Sequence, residues 1–329
     1  MSRDRETREV TAELLLRHDR PGPRYTSYPT AVQFHEGYGV EDYRRLARAS
    51  NDAPGRRPLS LYVHVPFCHS LCYYCGCHKI VTRTPGVAQE YLDYLLREAG
   101  LHAELYDDSR PVVQLHFGGG TPTYLTADEM ESLVGGLGQR FRLATDEEHE
   151  FSIEIDPRST DANMLAVLGR LGFNRLSMGI QDFDPRVQRA VNRVQPADET
   201  LALIHGARDA GFLSVSVDLI YGLPLQDLAG FRRTLETVVA ARPDRLAVYN
   251  YAHLPRMFRA QRLIREEDLP SPATKLELLG MTIDFLTAEG YEYIGMDHFA
   301  LPEDDLVKAR TNGSLHRNFQ GYSTYADHD

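Results

Sequence analysis

From residue 58 onward the chain alternates between two patterns. Short apolar and β-branched runs occur at "LSLYVHV", "VVQLHF", "HEFSIEID", "NRLSMGI", "LSVSVDLIY", "DRLAVYNY" and "YEYIGM". Between them lie stretches with the apolar period of an amphipathic helix, among them "AQEYLDYLLREAGLHAEL", "TADEMESLVGGLGQRF", "TDANMLAVLGRLG", "ADETLALIHGARDAG", "LAGFRRTLETVVAA" and "PATKLELLGMTIDFLTAEG". Thr126, ahead of Asp128 and Glu129, and Thr160, ahead of Asp161, suit helix N-termini. Gly172, Gly211 and Gly290 fall just past helix ends, where a left-handed residue is wanted. Six or seven strand–helix units imply parallel strands with right-handed crossovers. The fold class is α/β, and a (β/α) barrel, complete or partial, is favoured over an open doubly wound sheet.

Residues 1–57 read as an N-terminal extension. Pro21, Pro23 and Pro29 in "RPGPRYTSYPT" prevent regular helix, "YGVEDYRRLARAS" predicts a short helix, and "NDAPGRR" is a linker. The barrel is expected over 58–300, with 301–329 opening a further C-terminal portion.

Chemistry in parallel α/β folds gathers at the C-terminal ends of strands. Cysteines follow the first predicted strand, "GGGTPT" the second, and Glu154 and Asp156 close the third. "QDF" follows the fourth, Asp218 leads into "YGLP" at the fifth, and "YNYAH" ends the sixth. Core packing alone does not generate so many polar or glycine-rich signals at one end. His64, His116, His253 and His298 also lie near strand ends, where a lone histidine is more often hydrogen-bonded structure than a ligand.

Lys and Arg total 36 against 47 Asp and Glu, a formal charge of −11, which argues against nucleic acid or anionic membrane as the main partner. No run of about 18 apolar residues is present. The charged start "MSRDRETREV" lacks a signal peptide's apolar core, so a cytoplasmic chain is expected. In that compartment clustered thiols more often bind metal or do redox chemistry than form disulfides.

All four cysteines lie in "CHSLCYYCGC", residues 68–77. Four thiols on one zinc ion would require a contorted loop, because Cys75 and Cys77 are only two residues apart. Three ligands at Cys68, Cys72 and Cys75 suit an iron–sulfur cluster better and leave one iron open. Zinc and incidental thiols remain the alternatives at this point. Gly118, Gly119 and Gly120 would let backbone approach a ligand closely, and the segment lacks the lysine of a phosphate loop.

Together, "CHSLCYYC" and "GGGTP" resemble the CxxxCxxC signature and the methionine-binding segment of the radical S-adenosylmethionine (SAM) enzymes. The ordered strings "PRYTSYPTA", "LYVHVPFCHSLCYYCGCHKIVTR", "GGGTPTYL", "FNRLSMGIQDF", "DLIYGLP", "YNYAHLP", "GMDHFA" and "LHRNFQGYST" resemble the oxygen-independent coproporphyrinogen III oxidases, from about residue 20 to the last residues. The resemblance implies a partial (β/α)6-type, TIM-like barrel. It also implies a [4Fe–4S] cluster on Cys68, Cys72 and Cys75, and two SAM molecules. Tyr62, Gly119 and Glu154 would contact the first SAM. Tyr74, Gly120, Thr121, Gln181, Arg193, Asp218 and Ala252 would surround the second. Cys77 would not ligate the cluster.

The implied reaction is anaerobic conversion of the ring A and B propionates of coproporphyrinogen III to vinyl groups, giving protoporphyrinogen IX. A low-potential electron donor of flavodoxin or ferredoxin type and a monomer are expected. Arg24 and Arg256 are candidate cations for the tetracarboxylate, and Phe319 and Gln320 fall in the family's "NFQGY" stretch near the active site. The family continues past the position where this chain ends, so a C-terminally shortened form is expected. Two rivals are a haem-delivering relative, whose group typically has phenylalanine at the Cys77 position and lacks "PRYTSYPT", and a zinc-stabilised binding protein.

Overall fold

The computed structural model describes residues 33–53, 55–146, 149–318, 321–324 and 328–329. Helix α1 (Val40–Ser50) occupies the stretch read as a short helix. Six parallel strands follow: β1 (Leu59–Val65), β2 (Pro111–Gly119), β3 (Glu150–Ile155), β4 (Arg175–Gln181), β5 (Ser214–Tyr221) and β6 (Arg245–Asn250). The crossovers contain α2 (Val87–Ala103), α3 (Ala127–Gly138), α4 (Ala162–Arg170), the short α5 (Pro185–Ala190), α6 (Ala197–Asp209) and α7 (Leu228–Ala240). After β6 come α8 (Pro272–Ala288), β7 (Glu292–Gly295), β8 (His298–Ala300) and α9 (Asp305–Asn312). The parallel strands pair in chain order, the arrangement of a partial (β/α)6-type barrel.

The seventh run, "YEYIGM", departs from the pattern. Its strand β7 turns back through Met296 and Asp297 into β8, which lies antiparallel to β6. Two linking residues can close only a hairpin, because a parallel return needs a crossover of a dozen or more. Strands β1 and β7 are therefore the two edges of the sheet.

Local signals account for the element ends. Thr126 caps α3 by accepting from Glu129 N while the Glu129 side chain accepts from Thr126 N, a capping box worth about 1 kcal/mol. At α4 the cap is Asp161, which accepts from Met164 N. Thr160 instead sends its hydroxyl to Asp156 O and Thr123 Oγ1, tying the β3 turn to the β2 turn. Gly172, Gly211 and Gly290 all take positive φ.

The core lies between the sheet and its helices. In β3, Phe151, Ile153 and Ile155 point to it, and in β5 Val215, Val217 and Leu219 do the same. Their neighbours Ser152, Glu154, Ser216 and Asp218 point the other way and line the lumen. A doubly covered parallel strand reads as a continuous apolar run. These strands alternate because their inner face bounds a polar cavity. No helix among the described residues is long and apolar enough to cross a membrane.

Candidate active site

The loop after β1 carries the cysteines. Phe67–Cys68 pairs in parallel with Ile80–Val81, so the intervening residues close into a loop. Cys68, Cys72, Cys75 and Cys77 all line one cavity of about 230 Å³. Cys68 and Cys72 are buried, Cys75 partly buried and Cys77 exposed. The neighbouring Cys77 side chain and Lys79 pull the Cys75 thiol down to about 5. Lys79 Nζ also donates to Cys75 O at 3.2 Å.

Strand ends supply the remaining walls. Gly119, Gly120 and Thr121 follow β2, Glu154 and Asp156 stand at the end of β3, and Gln181 ends β4. A Cβ on Gly120 would sit 2.5 Å from Pro66 O, and one on Gly119, with φ +117°, would sit 2.7 Å from the His64 ring. Both glycines are therefore required by the protein's own packing as well as by any ligand. The β4–β5 register slips between Gly179 and Gln181, and Gln181 has φ +67°.

A second cavity, about 340 Å³, occupies the lumen and is lined by Tyr62, His116, Glu154, Asp218, Arg245 and Tyr249 among others. Glu154, Ser177 and Asp218 line both cavities and form the joint between them. Gly119 N donates to Glu154 Oε2 at 3.3 Å, while His116 Nε2 lies 3.4 Å from Oε1. Asp218 Oδ2 accepts from Ser177 at 3.4 Å. Burial, reinforced by the charge of Glu154, pushes the Asp218 carboxyl up to about 7. Among the described residues neither carboxylate pairs with a lysine or arginine. This end of the lumen can accept a cation.

Beside the cysteines the charges are densely paired. Asp156 holds Arg158 and Arg193, and these guanidiniums keep its carboxyl at about 2 despite burial. Arg193 also donates to Gly179 O at 2.6 Å. Sequence reasoning missed Arg158; its signal is the "DPR" turn, in which Asp156 accepts from Arg158 N.

Of the residues singled out from the sequence, Tyr74, Gly119, Gly120, Thr121, Glu154, Gln181, Arg193 and Asp218 line the cysteine cavity. Tyr62 lies in the lumen, stacked on His116 with centroids 5.7 Å apart. Ala252 is exposed after β6, and its carbonyl accepts from Gln261, which also donates to Tyr74 O. Arg256 is exposed in the same loop and lines neither cavity. Arg24, Phe319 and Gln320 lie outside the described residues.

The model of the radical SAM superfamily matches residues 62–238. An oxygen-independent coproporphyrinogen III oxidase of Pseudomonas aeruginosa is 50% identical over 318 residues, covering 97% of this chain and 69% of that protein. The chain belongs to this family of radical SAM enzymes. The Escherichia coli K12 member is 51% identical, covering 96% of this chain and 68% of its own. The solved structure of coproporphyrinogen III oxidase (HemN) from Escherichia coli superposes with a TM-score of 0.88 at 52% identity, covering 93% of this chain and 69% of that one.

Membership implies SAM and a [4Fe–4S] cluster, and the residues fit both. Cys68, Cys72 and Cys75 line one cavity together with Cys77, and two of its lining residues carry a buried atom without a hydrogen-bond partner, Gln181 Oε1 and Arg193 Nε. Among the described residues, no three His, Cys, Asp or Glu side chains converge on one metal ion.

Proposed function

We propose that this chain converts the ring A and B propionates of coproporphyrinogen III to vinyl groups, with a [4Fe–4S] cluster held by Cys68, Cys72 and Cys75. The observation that carries this reading is the joint at Glu154, Ser177 and Asp218, residues that line both the cysteine cavity and the polar lumen beside it. When bound, the cluster and SAM supply a 5′-deoxyadenosyl radical. Each propionate would then lose one hydrogen atom to that radical, and release of carbon dioxide with transfer of one electron to an external one-electron acceptor would leave the vinyl group.

The chain's own residues bind and orient. Glu154 and Asp218 attract the cationic methionine portion and the ribose hydroxyls of SAM. Gly119, Gly120 and Thr121 offer backbone groups beside the cysteines. Two SAM molecules are part of the proposal, one contacted by Tyr62, Gly119 and Glu154. The second is contacted by Tyr74, Gly120, Thr121, Gln181, Arg193, Asp218 and Ala252. Arg24, Arg256, Phe319 and Gln320 serve the substrate, a flavodoxin- or ferredoxin-like protein supplies electrons, and the chain acts as a cytoplasmic monomer.

An anaerobic assay with SAM, reductant and coproporphyrinogen III tests the reading. Protoporphyrinogen IX and 5′-deoxyadenosine are the expected products. Haem binding without any vinyl product would point to the haem-delivering relative instead.

A further inference from the structure

The four cysteines do not receive equal treatment. Cys68 Sγ meets one hydroxyl, Thr121 Oγ1, at 3.4 Å. Cys72 Sγ receives two guanidinium donors, Arg158 Nη2 at 3.3 Å and Arg193 Nη1 at 3.5 Å.

The turn after β3 builds this arrangement. Pro157 opens a one-turn 3-10 helix, Pro157–Ser159, and Asp156 caps it by accepting from Arg158 N at 3.0 Å. The same turn folds Arg158 back onto Asp156, with Nε at 3.0 Å from Oδ1 and Nη2 at 2.6 Å from Oδ2. From the other side Arg193, anchored on Gly179 O, reaches Asp156 Oδ2 at 3.2 Å. All three side chains are substantially buried, at 8% exposure for Arg193, 13% for Asp156 and 20% for Arg158.

Two guanidiniums and one carboxylate leave a net positive charge. A buried charge without a counterion is costly, and the other group that both guanidiniums reach, besides Asp156, is the Cys72 sulfur. Hydrogen bonds to cluster sulfurs and nearby charge are the levers by which a protein sets a cluster's potential. Reduction adds a negative charge, so donors and net positive charge at Cys72 favour the reduced form.

We propose that Arg158, together with Arg193, donates to the Cys72 thiolate and raises the one-electron reduction potential of the bound cluster, with Asp156 setting how much of that charge the cluster feels. Arg158 is a positioning residue: it acts through the Cys72 sulfur. The inference rests on the functional reading above.

The test uses the full chain, loaded anaerobically with iron and sulfide. The loading is measured, and the EPR signal of the reduced cluster is then titrated against potential without SAM. Arg158→Gln should lower the reduction equilibrium constant about tenfold, which is 59 mV downward for a one-electron couple. Asp156→Asn removes a negative charge and should shift the potential upward by a similar amount. A purely structural role would not move the two variants in opposite directions. If the Arg158→Gln chain does not load, Asp156→Asn decides: an upward shift supports the inference, and no shift or a downward one overturns it. A loaded parent chain with unmoved potentials in both variants overturns this inference alone. A parent chain that takes up no cluster overturns the functional reading as well.

Discussion

The two ends of the barrel's strands carry similar residues under opposite arrangements. At the strand starts, Arg175 on β4 reaches Glu150 on β3 at 2.9 Å and Asp305 at the start of α9 at 2.7 Å, and Arg245 on β6 reaches Asp304 at 2.8 Å. At the strand ends, Glu154 and Asp218 face the lumen with histidine or serine as their side-chain partners, and Glu154 also accepts from Gly119 N. Paired charges at one end hold neighbouring elements together. Unpaired carboxylates at the other end leave affinity for a cationic ligand, at a cost in stability. Asp156, at the same end, is paired with Arg158 and Arg193 beside the cysteines, so the distinction concerns the two lumen-facing carboxylates, Glu154 and Asp218.

Breaking the ligand set should have the largest effect. Replacing Cys68, Cys72 or Cys75 by alanine is expected to abolish iron and acid-labile sulfide uptake and, with it, product formation. Cys77→Ala should keep its iron, because Cys77 is the exposed cysteine of the four and falls outside the CxxxCxxC spacing of Cys68, Cys72 and Cys75. Iron lost from the Cys77 variant as completely as from the others would make it a ligand.

The strand-start end should respond in stability. Arg175→Met leaves the buried Glu150 without its cation, while the half-exposed Asp305 keeps Lys308, and removing one partner of a buried pair costs about 3 kcal/mol. Denaturant unfolding measures this, and iron loading should be unchanged in the folded fraction. A cost near zero would make the pairs at the strand starts no firmer than surface ion pairs.

At the strand-end end, Glu154→Gln should leave the fold intact and weaken SAM binding by about 2 kcal/mol, the scale of a hydrogen bond to a charged group. Calorimetry on the anaerobic, cluster-loaded chain reads the difference. Unchanged affinity would remove Glu154 from the SAM site.

Much of this contrast can be read along the chain. Alternation such as Ser152–Ile153–Glu154 and Ser216–Val217–Asp218 marks one apolar and one polar face, and the glycine and carboxylate signals fall at strand ends as a barrel requires. The partners are not legible in the same way. Arg175 and Asp305 are 130 positions apart, and Arg193 and Cys72 are 121 apart, so only folding brings them together. Thr160 and Asp161 show a finer limit. Either can cap a helix, and Asp161 takes the role because Thr160 is committed to Thr123 and Asp156. The hairpin β7–β8 shows another, since its apolar run resembles those of the parallel strands until the two-residue link is considered.

The smallest effect is the one that distinguishes the two ends most directly. Asp218 titrates at about 7, above the usual carboxylate range, because burial and Glu154 disfavour its charge. Between about pH 4 and 7 the folded chain therefore keeps a proton that the unfolded chain has released. Stability falls as pH rises through that window, and the loss is complete above it. A tenfold difference in proton affinity between the two states corresponds to about 1.4 kcal/mol. Water in the two cavities that Asp218 separates screens the effect, so about 1 kcal/mol is expected at pH 8. Asp218→Asn removes the titrating group. It should melt higher than the parent at pH 8 and match it near pH 4. Adding SAM should close the gap at pH 8, since a bound cation restores the partner that the carboxylate lacks. Parallel melting curves for parent and variant across this range would mean that Asp218 is already ionised in the folded chain. The strand-end carboxylates would then be as well compensated as those at the strand starts.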